Sequence, residues 1–119
     1  MSNPTYHGSC HCGAVQFSVT MPTPTFGMAC NCSICRRAGW LLTFQPQAAF
    51  VLESSPEALS DYQFGQHKLH HTFCRTCGVR AFSQGPGHDG SEWVAVNLRC
   101  VDGIDLGALE IQTFDGAAL

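Results

Sequence analysis

Three cysteines fall within one short segment, Cys30-Asn31-Cys32-Ser33-Ile34-Cys35, followed at once by Arg36 and Arg37. Three thiolates so placed can hold one zinc ion. A tetrahedral zinc with three protein ligands keeps its fourth position open for water or substrate. Two more groups flank this segment in the chain: Cys10-His11-Cys12, and Cys74-Arg75-Thr76-Cys77 followed by Gly78, while Cys100 stands alone. The simplest partition joins Cys10, Cys12, Cys74 and Cys77 into one closed four-thiolate site, which is structural because nothing remains open for a substrate. Closing a long loop in this way stabilises a small core, and structural zinc can contribute on the order of 10 kcal/mol to folding. Cys30, Cys32 and Cys35 then form the second site. Its fourth ligand is external, or else Cys100 or a histidine closes it as another structural site. A redox disulfide across Cys32 and Cys35 is the remaining reading, but a thioredoxin-like motif needs a βαβ setting that this chain lacks.

The elements that must position these sulfurs are short. Val15, Phe17 and Val19 alternate with polar residues and predict a strand, with Cys10 and Cys12 at its extended start and both sulfurs on one side. His11 then points away, as a surface histidine. Pro22 and Pro24 mark a loop, and the CxxC at Cys32 leads into a helical turn through Ala38 that Gly39 closes. Further strands are expected over Trp40–Phe44, Ala49–Leu52, Val79–Phe82 and Trp93–Leu98, with Leu59, Tyr62 and Phe64 as core contacts of another. If His67 to Phe73 is extended, His67, Leu69, His71 and Phe73 share a face. These histidines, with His70, read as strand residues leading into the last knuckle or as hydrogen-bond partners of metal-bound sulfur. Gly85 to Gly90 read as a loop, Asp102-Gly103 as a turn, and the tail through Phe114 is weakly patterned. Many short strands and no long amphipathic helix predict a single all-β domain over residues 1–119, built of short antiparallel strands and stabilised by zinc.

Composition narrows the function classes. The chain of 119 residues is 45% hydrophobic and only 13% charged, so it is globular, and its cysteines stand out as ligands. Net charge is −3, and the six Lys and Arg form no run, which argues against nucleic acid as a partner. No apolar run reaches the roughly 20 residues of a membrane-spanning helix. Met1 to Gly8 carry no secretory signature, so a reducing cytoplasm is expected, where clustered thiols mean metal or redox chemistry.

Gly8-Ser9-Cys10-His11-Cys12-Gly13-Ala14-Val15-Gln16-Phe17, then Cys30-Asn31-Cys32-Ser33-Ile34-Cys35-Arg36-Arg37, then Phe73-Cys74-Arg75-Thr76-Cys77-Gly78 resemble the glutathione-dependent formaldehyde-activating enzyme family, which includes centromere protein V. Asn97 to Asp102 resemble its late strand and turn. The resemblance implies a β-tent fold with two zincs: a structural one on Cys10, Cys12, Cys74 and Cys77, and a catalytic one on Cys30, Cys32 and Cys35. It also implies carbon–sulfur lyase chemistry, making or breaking a glutathione–aldehyde adduct such as S-hydroxymethylglutathione, with a small-molecule thiol and an aldehyde as partners. Arg36 and Arg37 are candidates to pair with glutathione carboxylates or to balance the cluster's charge. The alternative is a non-catalytic zinc-stabilised binding module. So short a chain leaves little sequence outside these motifs for a dedicated glutathione pocket.

Overall fold

The computed structural model describes residues 3–87 and 89–118. Its strands are β1 (Thr5–Ser9), β2 (Gln16–Thr20), β3 (Phe26–Cys30), β4 (Leu42–Pro46), β5 (Phe50–Leu52), β6 (Leu59–Tyr62), β7 (His71–Cys74), β8 (Phe82–Pro86), β9 (Glu92–Asn97) and β10 (Glu110–Phe114). One short helix, α1 (Ser33–Ala38), stands between β3 and β4. The strands form three sheets, ordered β1-β2-β5, β10-β3-β4-β9-β8 and β6-β7. His70 bridges to Gln84 through two backbone hydrogen bonds of 2.8 and 3.0 Å, which ties the β6-β7 hairpin to the β8 edge of the five-stranded sheet.

Alternation decides which side chains meet. Val15, Phe17 and Val19 are fully buried, as their period of two predicts, and face Phe82, Val94 and Val96 of the large sheet. Phe50 joins this centre, with ring centroids 5.3 Å from Phe17 and 4.7 Å from Phe82. Burying a ring of this size is worth roughly 1.5–3 kcal/mol each. The β-rich fold therefore rests on one aromatic cluster between two sheets.

Several local expectations change. Cys10 and Cys12 lie in a bend before β2 rather than at its extended start; Cys10 N–H bonds to Val15 C=O at 3.1 Å and Gly13 takes φ +85°. Trp40 and Leu41 are buried but precede β4, while Phe44 inside it is exposed. Tyr62 and Phe64 are exposed too, stacked on each other at 5.7 Å rather than in the core. The shared face of His67, Leu69, His71 and Phe73 does not form, because His67 adopts φ +57° and extended pairing starts only at His71. Val79 to Ala81 connect rather than pair, and β8 runs from Phe82 into the expected loop, taking in Gly85 and Pro86. Of that loop, His88 lies outside the described residues. The weakly patterned tail contains β10, which pairs parallel with β3 and sets Phe114 beside Cys30. All five β10 residues are exposed, so no alternation marks it.

Candidate metal centres and cleft

The bend before β2 and the turn after β7 bring Cys10, Cys12, Cys74 and Cys77 together, with all sulfurs within 4.8 Å of one another. Cys12 Sγ stands 3.7 Å from Cys10 Sγ and 3.6 Å from Cys74 Sγ. Backbone donors surround them: Val15 N–H reaches Cys10 Sγ at 3.3 Å, and Thr76 and Cys77 N–H reach Cys74 Sγ at 3.4 Å. Such donors favour thiolate over thiol. The Cys77 thiol is lowered to about 6, chiefly by its hydrogen bond with the Val79 backbone. Gly78 N–H closes the turn on Cys74 C=O at 2.8 Å with φ +79°, a conformation in which a side chain is strained. Cys10 and Cys74 are buried within the core cluster. Four thiolates drawn together in this way fit a tetrahedral metal with no position to spare.

Cys30 ends β3, Cys32 caps α1 and Cys35 lies within it; their sulfurs also fall within 4.8 Å of one another. Cys32 N–H donates to Cys30 Sγ at 3.4 Å. Arg36 N–H to Cys32 C=O and Gly39 N–H to Cys35 C=O, both 3.0 Å, hold the turn that presents Cys35. Burial pushes the Cys35 thiol up to about 12, and the nearby Trp40 indole N–H lowers it too little to offset that. Three sulfurs, one of them a thiol that resists ionising, suit a divalent cation, which would stabilise the thiolates. Among the described residues no fourth His, Cys, Asp or Glu completes this group. Cys100 is half-buried, held by Asn97 Nδ2 at 3.6 Å; burial raises it to about 11, and the thiols facing it are Cys10 and Cys77.

The C-terminal segment straps this second group. Asn31 donates its backbone N–H to Phe114 C=O at 3.1 Å and its Nδ2 to Asp115 Oδ1 at 2.9 Å, and accepts from Ala117 N–H at 3.0 Å. Gly116 is thereby laid against Cys30, where an added Cβ would stand 2.5 Å from Sγ and 3.2 Å from the Cys32 Cβ.

Cys30 and Cys35 also form one end of a cleft of about 680 Å³ on the outer face of the five-stranded sheet. Register explains its shape. Phe44, Ala95 and Ser83 lie in one row across β4, β9 and β8, and Pro46, Trp93 and Gly85 in the next. Ser83, Gly85 and Ala95 leave the floor low, while Phe44, Trp93, Leu69 and Phe114 stand as walls. This answers the expectation of too little sequence for a pocket: the cleft is made from strand faces, not from an added segment. His71 and Trp40 also line it, 6.1 Å apart between ring centroids. His71 is buried, its Nδ1 lacks a hydrogen-bond partner among the described residues, and burial lowers its pKa. Of the other histidines, His11 and His67 are exposed, and exposed His70 pairs with Asp61 at 2.7 Å. Arg36 and Arg37 are exposed on α1; Arg37 Nη1 donates to Ser33 C=O at 2.9 Å, and neither lines the cleft.

The β-rich fold thus carries two cysteine clusters that could hold a metal ion, one of them beside a cleft. The glutathione-dependent formaldehyde-activating enzyme family matches residues 5–114, and the chain belongs to that family. A Halomonas elongata protein provisionally named as a glutathione-dependent formaldehyde-activating enzyme is 40% identical over 60 residues, 47% of this chain; the match spans 38% of that relative's length. The crystal structure of a Rhodobacter sphaeroides protein superposes with a TM-score of 0.80 at 32% identity, covering 91% of this chain and 99% of its own. Among the described residues no helix is long and apolar enough to cross a membrane.

Proposed function

We propose that the chain is a cytoplasmic zinc-dependent carbon–sulfur lyase of one domain, which makes or breaks the adduct of glutathione with an aldehyde. The observation that carries this reading is the position of Cys30 and Cys35 at the end of the cleft, while in the other group Cys10 and Cys74 are buried in the core and Cys77 packs against it. In this reading Cys10, Cys12, Cys74 and Cys77 hold a structural zinc and Cys30, Cys32 and Cys35 a catalytic one. Cys30, Cys32 and Cys35 would hold the zinc, which when bound would favour the ionised form of an external thiol at neutral pH. The reaction itself needs no oxidant: the thiol sulfur bonds to the carbonyl carbon, the C=O π pair moves to oxygen, and oxygen takes up a proton. Breaking the adduct reverses each step.

The protein's own residues orient and exclude water. Trp40 and His71 wall the sulfur end, and lowered basicity keeps His71 neutral near pH 7, able to donate from one ring nitrogen and accept at the other. Arg36 and Arg37 follow Cys35 directly on α1, and in this reading they meet glutathione carboxylates that stay outside the cleft. Nucleic acid and membrane have no part in this reading.

Native mass spectrometry with and without glutathione tests it, alongside magnetisation-exchange measurement of S-hydroxymethylglutathione turnover. Two zincs per chain, glutathione retained on the protein, and accelerated exchange are expected. One zinc, or two zincs with no acceleration, would instead favour a binding module.

A further inference from the structure

The cleft is far larger than a one-carbon aldehyde needs. A one-carbon aldehyde has two heavy atoms, comparable in size to one or two waters at ~30 Å³ each. A cleft of about 680 Å³ is in the range that encloses whole organic ligands. Its walls are aromatic and aliphatic, and among the described residues its polar side chains besides the cysteines are His71, Ser83, Gln84 and Asp89. No Lys or Arg lines it among the described residues. Asp89 accepts from Ser91 Oγ at 2.6 Å and Ser91 N–H at 3.0 Å, contacts that favour its charged form. A carboxylate drawn inside would thus lose water, find no cation and meet an anion.

The space is also held open. An added Cβ at Gly85 would collide with the Leu69 side chain, and one at Gly87 would stand 2.6 Å from the Trp93 ring. The two wall side chains therefore lie flat against glycine backbone. Trp93 is fixed further by donating Nε1–H to Ser91 Oγ at 2.9 Å. Two glycines that let large side chains recline at the far wall, opposite a sulfur cluster, shape room for a ring or a chain.

We propose that the cleft selects adducts whose sulfur-bearing carbon carries an apolar, ring-sized group, so that the preferred electrophile is an apolar aldehyde larger than formaldehyde. This rests on the adduct-handling reading above. Glutathione's charged ends stay in water, and the electrophile's side group fills the cleft between Phe44, Leu69 and Trp93. Atoms balance as before: RCHO and the thiol give the hemithioacetal, with R untouched.

Both tryptophans of the chain line the cleft, so their fluorescence reports on it directly. The zinc-loaded protein is titrated with S-methyl-, S-hexyl- and S-benzylglutathione, stable mimics of small and large adducts. Affinity is expected to rise roughly tenfold or more from the methyl to the larger groups, in line with the discrimination apolar pockets achieve. Trp93→Ala and, independently, Ala95→Leu, which raises the floor, should each flatten that series. Equal affinity across the three mimics, or a gradient unchanged in both variants, overturns the proposal. Turnover of glutathione with formaldehyde is followed in the same preparations. Turnover without a size gradient sinks the cleft inference alone; a size gradient without turnover sinks the lyase reading and leaves the cleft's preference standing.

Discussion

The two cysteine groups use the same atom type in opposite settings. Cys10, Cys12, Cys74 and Cys77 come from segments 62 residues apart at the Cys12–Cys74 contact, and they sew the β2 end of the fold to the β7 turn. Cys30, Cys32 and Cys35 come from one turn of chain and close no long loop. A metal on the first group restrains the unfolded chain; a metal on the second restrains almost nothing. The second group is correspondingly free to serve chemistry, and it is the one that faces a cleft. In the proposed reading stability and reactivity are divided between the two groups, because loop closure and an open coordination position would make conflicting demands.

Substitutions can break that division in order of size. Cys74→Ser removes a buried cysteine of the proposed structural site and should cost most of the metal's folding contribution, on the order of 10 kcal/mol, leaving no cooperative unfolding transition by circular dichroism. Cys32→Ser should keep the fold, with a melting temperature near that of the parent, while adduct turnover falls by roughly a hundredfold or more; even groups one step removed from a metal cost 10–100-fold. If Cys32→Ser unfolds as completely as Cys74→Ser, both groups are structural and the contrast is lost. Gly116→Val should lie between them, because its side chain would press on Cys30 through a strap that Asn31 holds at three points. Crowding of this kind costs about 1–3 kcal/mol, and here it should appear as weaker zinc retention at the three-cysteine group in native mass spectra. The joint change Arg36→Gln with Arg37→Gln should be smallest. Exposed charges contribute at most about 1 kcal/mol per pair, so KM for glutathione should rise about fivefold at most for each arginine removed, with kcat held.

The sulfur grouping was legible in the chain because ligand spacing is a local signal: CxC, CxCxxC and CxxC can be read without knowing the fold. β2 and α1 were legible for the same reason, one from the alternation of Val15, Phe17 and Val19, the other from a knuckle ending at Gly39. The cleft was not. It is assembled from alternate residues on β3, β4, β8, β9 and β10, and its walls, Phe44, Leu69, Trp93 and Phe114, are large apolar side chains of the kind a sequence assigns to a core. Their exposure is the signal, and it exists only once the register is known. The same confusion placed Tyr62 and Phe64 inside. His71 did not stand out from its neighbours because a histidine among histidines carries no pattern; in the fold the Trp40 ring lies tilted against it and the Phe64 ring stacks on it. β10 escaped because an exposed edge strand has no apolar face to alternate.

The division of labour is tested most directly by stepwise chelation of the zinc-loaded protein, with turnover and circular dichroism followed on the same samples. Turnover is expected to disappear first, as the three-cysteine group empties, while the β-sheet signal and the melting transition persist until the four-cysteine group is stripped. Simultaneous loss of turnover and fold at every chelator concentration would contradict it.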